Sequence, residues 1–327
     1  LKNSIYITRK IPEEVVKRIA QTCEVRMWEE EETPVPREVL QREIAEVDGL
    51  YCMLTESIDA ELLNHAKKLR VISNMAVGYN NIDVDTATQR GMVVANTPGV
   101  LTETTADLTF ALLLATARRL VEGERFVRQG QWHTWAPMLL TGQEVHGSTL
   151  GIIGLGRIGQ AVAKRAKGFD MDVLYYNRSR KREVENELGI QYVDLDALLQ
   201  QSDFVCVLTP YTPETKNLID RRELSLMKKS AVLINTARGG IVNEEALVAA
   251  LKDGTIWAAG LDVFVEEPVS PQHPLLSLPN VVALPHIGSA SIKTRIAMAQ
   301  LAADNLLKAL TGEKPDHLVN PEVWGKS

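Results

Sequence analysis

From its first residues the chain alternates short runs of β-branched and aromatic residues with stretches whose apolar positions recur at helical spacing. SIYITR, CEVRMW, GLYCML, RVISNMAV and MVVANTP read as strands, with helices expected near residues 12–20, 36–45, 59–66 and 84–90. This rhythm predicts a five-stranded parallel unit that ends near Gly99. The next stretch, LTETTADLTFALLLATARRLVEGERFVRQGQW, keeps a helical period until Gly130, with Thr102 suited to cap its start. It predicts one continuous interdomain helix.

A second series of apolar runs follows: TLGIIG, DVLYYN, DFVCVL, AVLINT, AAGLDVF and VVALPH. Near-continuous apolar strands suit a parallel sheet covered on both faces. Residues 291–310 are again helical, and with no sheet of their own to cover they are expected to pack back on the first unit, making that domain discontinuous.

Composition narrows the function. The chain has 327 residues, enough for about two domains, with 45% hydrophobic and 24% charged residues, as in ordinary globular proteins. A formal net charge of −6 argues against nucleic-acid binding, which needs a concentrated basic surface. Cys23, Cys52 and Cys206 are far apart and lack C-x-x-C spacing, so neither a disulfide framework nor a metal site is expected, and a reducing cytoplasm fits. No apolar run is long enough to span a bilayer, and the opening residues are too polar for a signal peptide.

GIIGLGRIGQAV places Gly154, Gly156 and Gly159 in the order G-x-G-x-x-G between an apolar strand and an amphipathic helix. Such a turn needs residues without Cβ, and the helix start offers free N–H groups to a pyrophosphate, so a dinucleotide is the expected ligand. At the end of the following strand, where an acidic residue would accept from the ribose of NAD, YYNRSRK carries neutral Asn177 followed by Arg178, Ser179 and Arg180. These residues favour the 2′-phosphate of NADPH, with NADH still possible. A solvated basic loop is the plainer alternative.

Three later stretches stand at the expected C-terminal ends of strands, where open α/β sheets bind ligands. Arg238 follows LINTA, Glu267 lies in DVFVEEP and His286 lies in LPHIGS. Singly they could be a surface ion-pair partner, a loop carboxylate and a structural histidine. Together they match the needs of 2-oxo acid reduction. A guanidinium fork can engage the carboxylate and carbonyl of such an acid, an imidazole can deliver the proton, and a carboxylate beside the ring stabilises its protonated form.

GLGRIG, NTARGG, DVFVEEP and PHIGSA, in this order, make the chain resemble the D-isomer-specific 2-hydroxyacid dehydrogenase family. ITRKIPEE, AVGYNNID, NTPGVLTETTAD, LLLATARR and HPLL make it most similar to the glyoxylate/hydroxypyruvate reductases of that family. The resemblance covers essentially the whole chain. It implies an α/β fold of two doubly wound parallel-sheet domains, a Rossmann cofactor domain (100–289) inserted into a flavodoxin-like substrate domain (1–99 and 290–327). It also implies that Arg238, Glu267 and His286 are catalytic; the glutamate before proline is selected by the family pattern, since residue chemistry alone does not separate it from Glu266.

Further roles follow from the same resemblance. Val77 and Gly78 would offer backbone N–H groups to the substrate carboxylate, Leu54 would line the pocket, and Ser289 would lie close by. Gly154, Gly156, Arg157, Ile158, Gly159 and Asn177 through Arg180 would contact the cofactor. Thr209, Pro210, Thr236, Asp262 and Gly288 would border it. Trp135 matches a tryptophan that reaches the partner subunit's site in related homodimers, although a core or interface aromatic reads equally well. Met138 stands where some relatives carry a larger aromatic. The alternatives are a 2-ketogluconate or other D-2-hydroxyacid dehydrogenase, and a corepressor-like protein that binds NAD(H) and partner peptides.

Overall fold

The computed structural model describes residues 2–325. The chain divides into two compact units, one holding the residues up to Leu101 and those from Ser291 onward, the other Thr102–Ala290.

In the first unit β1 (Asn3–Ile7), β2 (Cys23–Met27), β3 (Gly49–Cys52), β4 (Val71–Asn74) and β5 (Val93–Ala95) form one parallel sheet, ordered β2-β1-β3-β4-β5. This is the flavodoxin-like order. The two-residue period sorts each strand onto both faces. Tyr6, Leu50, Cys52, Ile72 and Val94 enter one apolar cluster, and Ile5, Ile7, Tyr51, Val71 and Val93 enter the other. The helix Ile292–Thr311 covers the second face with Ala299, Ala302, Leu306 and Leu310. Ser291 caps its start by accepting from the Thr294 N–H at 3.2 Å, and Gly312, in the left-handed region, ends it. The Tyr51 hydroxyl donates to the Ala299 carbonyl at 3.1 Å, which fastens helix to sheet.

The second unit is a seven-stranded parallel sheet of β6 (Thr149–Ile153), β7 (Asp172–Tyr176), β8 (Gln191–Tyr192), β9 (Phe204–Val207), β10 (Val232–Asn235), β11 (Ala258–Leu261) and β12 (Val281–Ala283). Its order, β12-β11-β10-β9-β6-β7-β8, is the Rossmann order extended by one strand. The chain moves outward from β6 to one edge and then restarts at β9 on the other side, so the switch point lies at the end of β6.

Two elements depart from expectation. β8 has only two residues, too few for a periodic pattern to reveal it. The single helix expected after Gly99 is instead two, Thr102–Ala117 and Leu120–Arg128. Thr102 is the first residue of the former rather than its cap. Arg119 adopts φ 53°, in the left-handed region, and the carbonyl of Ala117 accepts the N–H of Gln143 at 2.8 Å instead of a next-turn amide. Gly142 permits that approach, because a Cβ there would collide with the same carbonyl. The break is thus imposed by a segment distant in sequence.

Candidate active site

The last residues of β10, β11 and β12 are in register, Asn235 beside Leu261 and Leu261 beside Ala283. The loops that follow therefore leave one edge of the second unit's sheet side by side, and each carries one expected catalytic residue. After β10, buried Asn235 shapes the turn: its amide donates to the Arg238 carbonyl at 3.0 Å and its oxygen accepts the Ala237 N–H at 3.0 Å. Gly239 then lies directly on the backbone at Phe264, where any Cβ would collide with the Phe264 carbonyl. This contact brings the arginine loop against the loop that bears Glu267.

Glu267 uses both carboxylate oxygens. Oε1 accepts the Phe264 N–H at 2.9 Å, and Oε2 lies 2.6 Å from His286 Nδ1. Of the two glutamates in VEEP, Glu267 is the one on the imidazole. The side chains are 24% (His286) and 29% (Glu267) exposed, so the pair is sheltered but reachable. Burial alone would raise the Glu267 carboxyl. The hydrogen bond and charge of His286, the Phe264 amide and the charge of Arg238 outweigh it, and the group sits below the usual carboxylate range. Arg238 is coupled electrostatically to the same carboxylate, while burial lowers its own pKa from the usual guanidinium value. The guanidinium Nη1 donates to the Ala237 carbonyl at 2.8 Å.

His286 is held at φ 54°, uncommon for a residue with a Cβ. Asp262, at the end of β11 and 1% exposed, secures that geometry: Oδ1 accepts the Ile287 N–H and Oδ2 the Gly288 N–H, both at 2.8 Å. Burial raises the Asp262 carboxyl, against the lowering effects of the two amides and of His286. Sequence reading set Asp262 and Gly288 beside the cofactor; in the structure they also anchor the histidine loop. The signal available was the aspartate directly after an apolar strand, whose role depends on a loop some twenty-five residues later.

The glycine loop joins β6 to the helix Arg157–Ala166. Gly154 has φ 98°, and a Cβ there would lie 2.7 Å from the Thr209 nitrogen. A Cβ on Gly159 would strike the Gly154 carbonyl, whereas one on Gly156 would meet nothing within 4 Å. Two glycines thus close the turn, and the third leaves an exposed cradle at a helix start, as a pyrophosphate requires. Arg157 is exposed and Ile158 half-buried beside it. The Leu155 N–H donates to Asn177 Oδ1 at 3.3 Å, joining the loop to the end of β7.

Arg178 and Ser179 are exposed there. Arg180, expected to face a phosphate, is engaged by Glu185, its Nε and Nη2 donating at 2.8 and 2.7 Å, and its guanidinium lies 5.8 Å from the Tyr192 ring centre. Thr209 and Pro210 follow β9, and the Thr236 hydroxyl lies 2.7 Å from that of Thr109 in the interior. Ser289 is half-buried after the histidine loop. Trp135 is 76% exposed in the segment after the helix Leu120–Arg128. In the first unit, Leu54 follows β3, Val77 and Gly78 follow β4, and all three are half-buried. Among the described residues, no group of His, Cys, Asp and Glu is placed to hold a metal, and no helix is long and apolar enough to cross a membrane.

Residues 110–288 match the family model described as D-isomer specific 2-hydroxyacid dehydrogenase, NAD binding domain. A glyoxylate reductase of Pyrococcus horikoshii is 54% identical over 99% of this chain and 97% of its own. A crystal structure of a Thermus thermophilus protein superposes with a TM-score of 0.90 at 45% identity, covering 97% of this chain and 99% of that one. The NADPH-dependent glyoxylate/hydroxypyruvate reductase of Sinorhizobium meliloti, solved with NADP and malonate, gives 0.86 at 35% identity, covering 100% of this chain and 99% of that one. The chain belongs to the D-isomer specific 2-hydroxyacid dehydrogenase family and is an NAD(P)-dependent dehydrogenase.

Proposed function

We propose that the protein reduces small 2-oxo acids, glyoxylate to glycolate and hydroxypyruvate to D-glycerate, with NADPH as the preferred reductant. The observation that carries this reading is the 2.6 Å Glu267–His286 contact, with Arg238 in the field of the same carboxylate, in the unit that holds the glycine loop. When bound, the nicotinamide supplies hydride. With Nδ1 turned to Glu267, the imidazole has Nε2 left to donate a proton to the carbonyl oxygen as charge develops there. Ionised Glu267 stabilises the protonated ring in the ground state and fixes its orientation. Arg238 engages the substrate carboxylate and polarises the carbonyl. The backbone N–H groups of Val77 and Gly78 bind the carboxylate, Leu54 and Ser289 line the pocket, and Trp135 of a second copy completes it.

Gly154, Gly156, Arg157, Ile158 and Gly159 would hold the pyrophosphate; Thr209, Pro210, Thr236, Asp262 and Gly288 would border the cofactor. Asn177, Arg178 and Ser179 receive the 2′-phosphate. Arg180 joins them by exchanging Glu185 for phosphate oxygens, which makes exposed Arg178 the leading cation. Support comes from the relatives, a glyoxylate reductase and an NADPH-dependent reductase crystallised with NADP. The reading includes a homodimer: Leu120, Val127, Trp132, Trp135 and Met138 are exposed apolar side chains on one stretch of chain that a second copy would cover. It also includes a reducing, cytoplasmic setting, consistent with free buried Cys23, Cys52 and Cys206. The test is a panel of 2-oxo acids assayed with NADPH and with NADH at one pH. Turnover of glyoxylate or hydroxypyruvate, faster with NADPH, is the expected result, and no turnover with any 2-oxo acid would favour a binding protein.

A further inference from the structure

The loop after β4 shows three successive peptide groups whose carbonyls are each held by a hydrogen bond. The carbonyl of Ala76 accepts the Thr97 N–H at 2.9 Å. The carbonyl of Val77 accepts from the Asn96 side chain at 2.8 Å, and that of Gly78 from the Asn74 side chain at 3.0 Å. These peptides are trans, so each fixed carbonyl forces the N–H of the next residue to point the opposite way. The amides so aimed belong to Val77, Gly78 and Tyr79. Among the described residues, these three N–H groups donate to no other group of the protein. Successive amides with no partner in the protein are the groups from which an anion-binding nest is built.

The asparagines are themselves fixed. Asn74 is fully buried at the end of β4, and its second amide proton goes to Asn81 Oδ1 at 3.2 Å. Asn81 in turn donates to the carbonyls of Met53 and Glu56 at 3.0 and 3.1 Å, tying the β4 loop to the loop that displays Leu54. Buried Glu56 closes this second loop by accepting the Met53 N–H at 2.8 Å and the Thr8 hydroxyl at 2.6 Å. Asn96 directly follows β5, and its backbone carbonyl accepts from Asn305 at 3.0 Å. A side chain that only completed a turn could hold one carbonyl; here two side chains and one backbone amide hold three in a row.

We propose that Asn96 and Asn74 are positioning residues for substrate, holding the Val77–Tyr79 peptides so that their N–H groups receive the carboxylate of the 2-oxo acid. The inference rests on the reading that the chain reduces such acids. A loosened amide presents its N–H in many directions and binds an anion less well, while cofactor binding depends on other residues. The effect therefore falls on the carboxylate ligand.

The experiment compares wild type with Asn96→Ser and, independently, Asn74→Ser. It measures KM for glyoxylate, the inhibition constant of oxalate, KM for the reduced cofactor and the thermal unfolding midpoint. Loss of one well-placed hydrogen bond predicts a rise of about tenfold in the first two constants, with the cofactor constant unchanged. Two variants guard against one that does not fold. A folded variant that keeps wild-type constants for both glyoxylate and oxalate overturns the proposal, as does an equal rise in the cofactor constant. Wild type inactive on every 2-oxo acid would instead defeat the function beneath it, and the inference with it.

Discussion

His286 Nδ1 lies 2.6 Å from Glu267 Oε2, and the other oxygen of that carboxylate accepts the Phe264 amide at 2.9 Å. Glu267 is thus aligned by its own loop before it aligns the histidine. Glu267→Gln keeps the shape and removes the charge, so the rate of 2-oxo acid reduction should fall by about tenfold to a hundredfold, with cofactor affinity preserved. Pre-steady-state reduction rates and cofactor titrations check it; an unaltered rate would remove Glu267 from the mechanism.

The depressed pKa of Glu267 also predicts a pH dependence of stability. A carboxyl lowered on folding contributes stability above its unfolded value, near 4.3, and loses it as pH falls through the lower folded value. Below about pH 5 the stability difference between wild type and Glu267→Gln should shrink as the pH falls. Urea unfolding across this range reads it. A difference that grows as the pH falls below about 5 would mean the sign is wrong.

Replacing His286 by Ala removes the proton donor without touching the glycine loop. Reduction should slow by about a hundredfold or more, while the dissociation constant of the cofactor changes little. Alanine also carries a Cβ, so the left-handed backbone gains no relief, and Glu267 loses the partner that lowers its pKa; the thermal midpoint should fall rather than rise.

Asp262 holds the histidine loop through two amides, and an asparagine in its place can accept only one of them. Asp262→Asn should therefore lower kcat even though the triad itself is intact. Amide exchange at Ile287 and Gly288 should quicken in the same variant, and unchanged protection there would show that the clamp is not what secures the loop.

Arg178 and Arg180 should separate in cofactor assays. With Glu185 engaging Arg180, Arg178→Ala should raise KM for NADPH by about tenfold while NADH is little affected, and Arg180→Ala should do less. Equal effects of Arg178→Ala on the two cofactors would remove the 2′-phosphate from its role.

Both sheets were legible because buried parallel strands leave unbroken apolar runs, and the glycine loop because its spacing sits between a strand and a helix. The break at Arg119 was not, since it depends on Gln143 reaching the Ala117 carbonyl, a contact without local signature. Strand β8 was too short to show a period. Around the site, residue types pointed to Arg238, His286 and a glutamate of VEEP, and the family pattern chose Glu267, but the supports stayed hidden. Gly239 and Asp262 act through backbone groups of other loops and Asn235 through those of its own turn, and backbone groups look alike in every sequence. Arg180 shows the converse: its charge was visible and its engagement by Glu185 was not.

The helix Ile292–Thr311 supplies Ala299, Ala302, Leu306 and Leu310 to a core otherwise built from the first hundred residues. A ribosome releasing this chain delivers five strands of the first sheet long before the helix that shields one side of them. The interrupting unit, contiguous from Thr102 to Ala290, has all its parts at hand sooner. The amino-terminal sheet must therefore wait, one face incompletely covered, until the helix Ile292–Thr311 has been made, and a polypeptide stalled ahead of that point is the species a chaperone would have to hold.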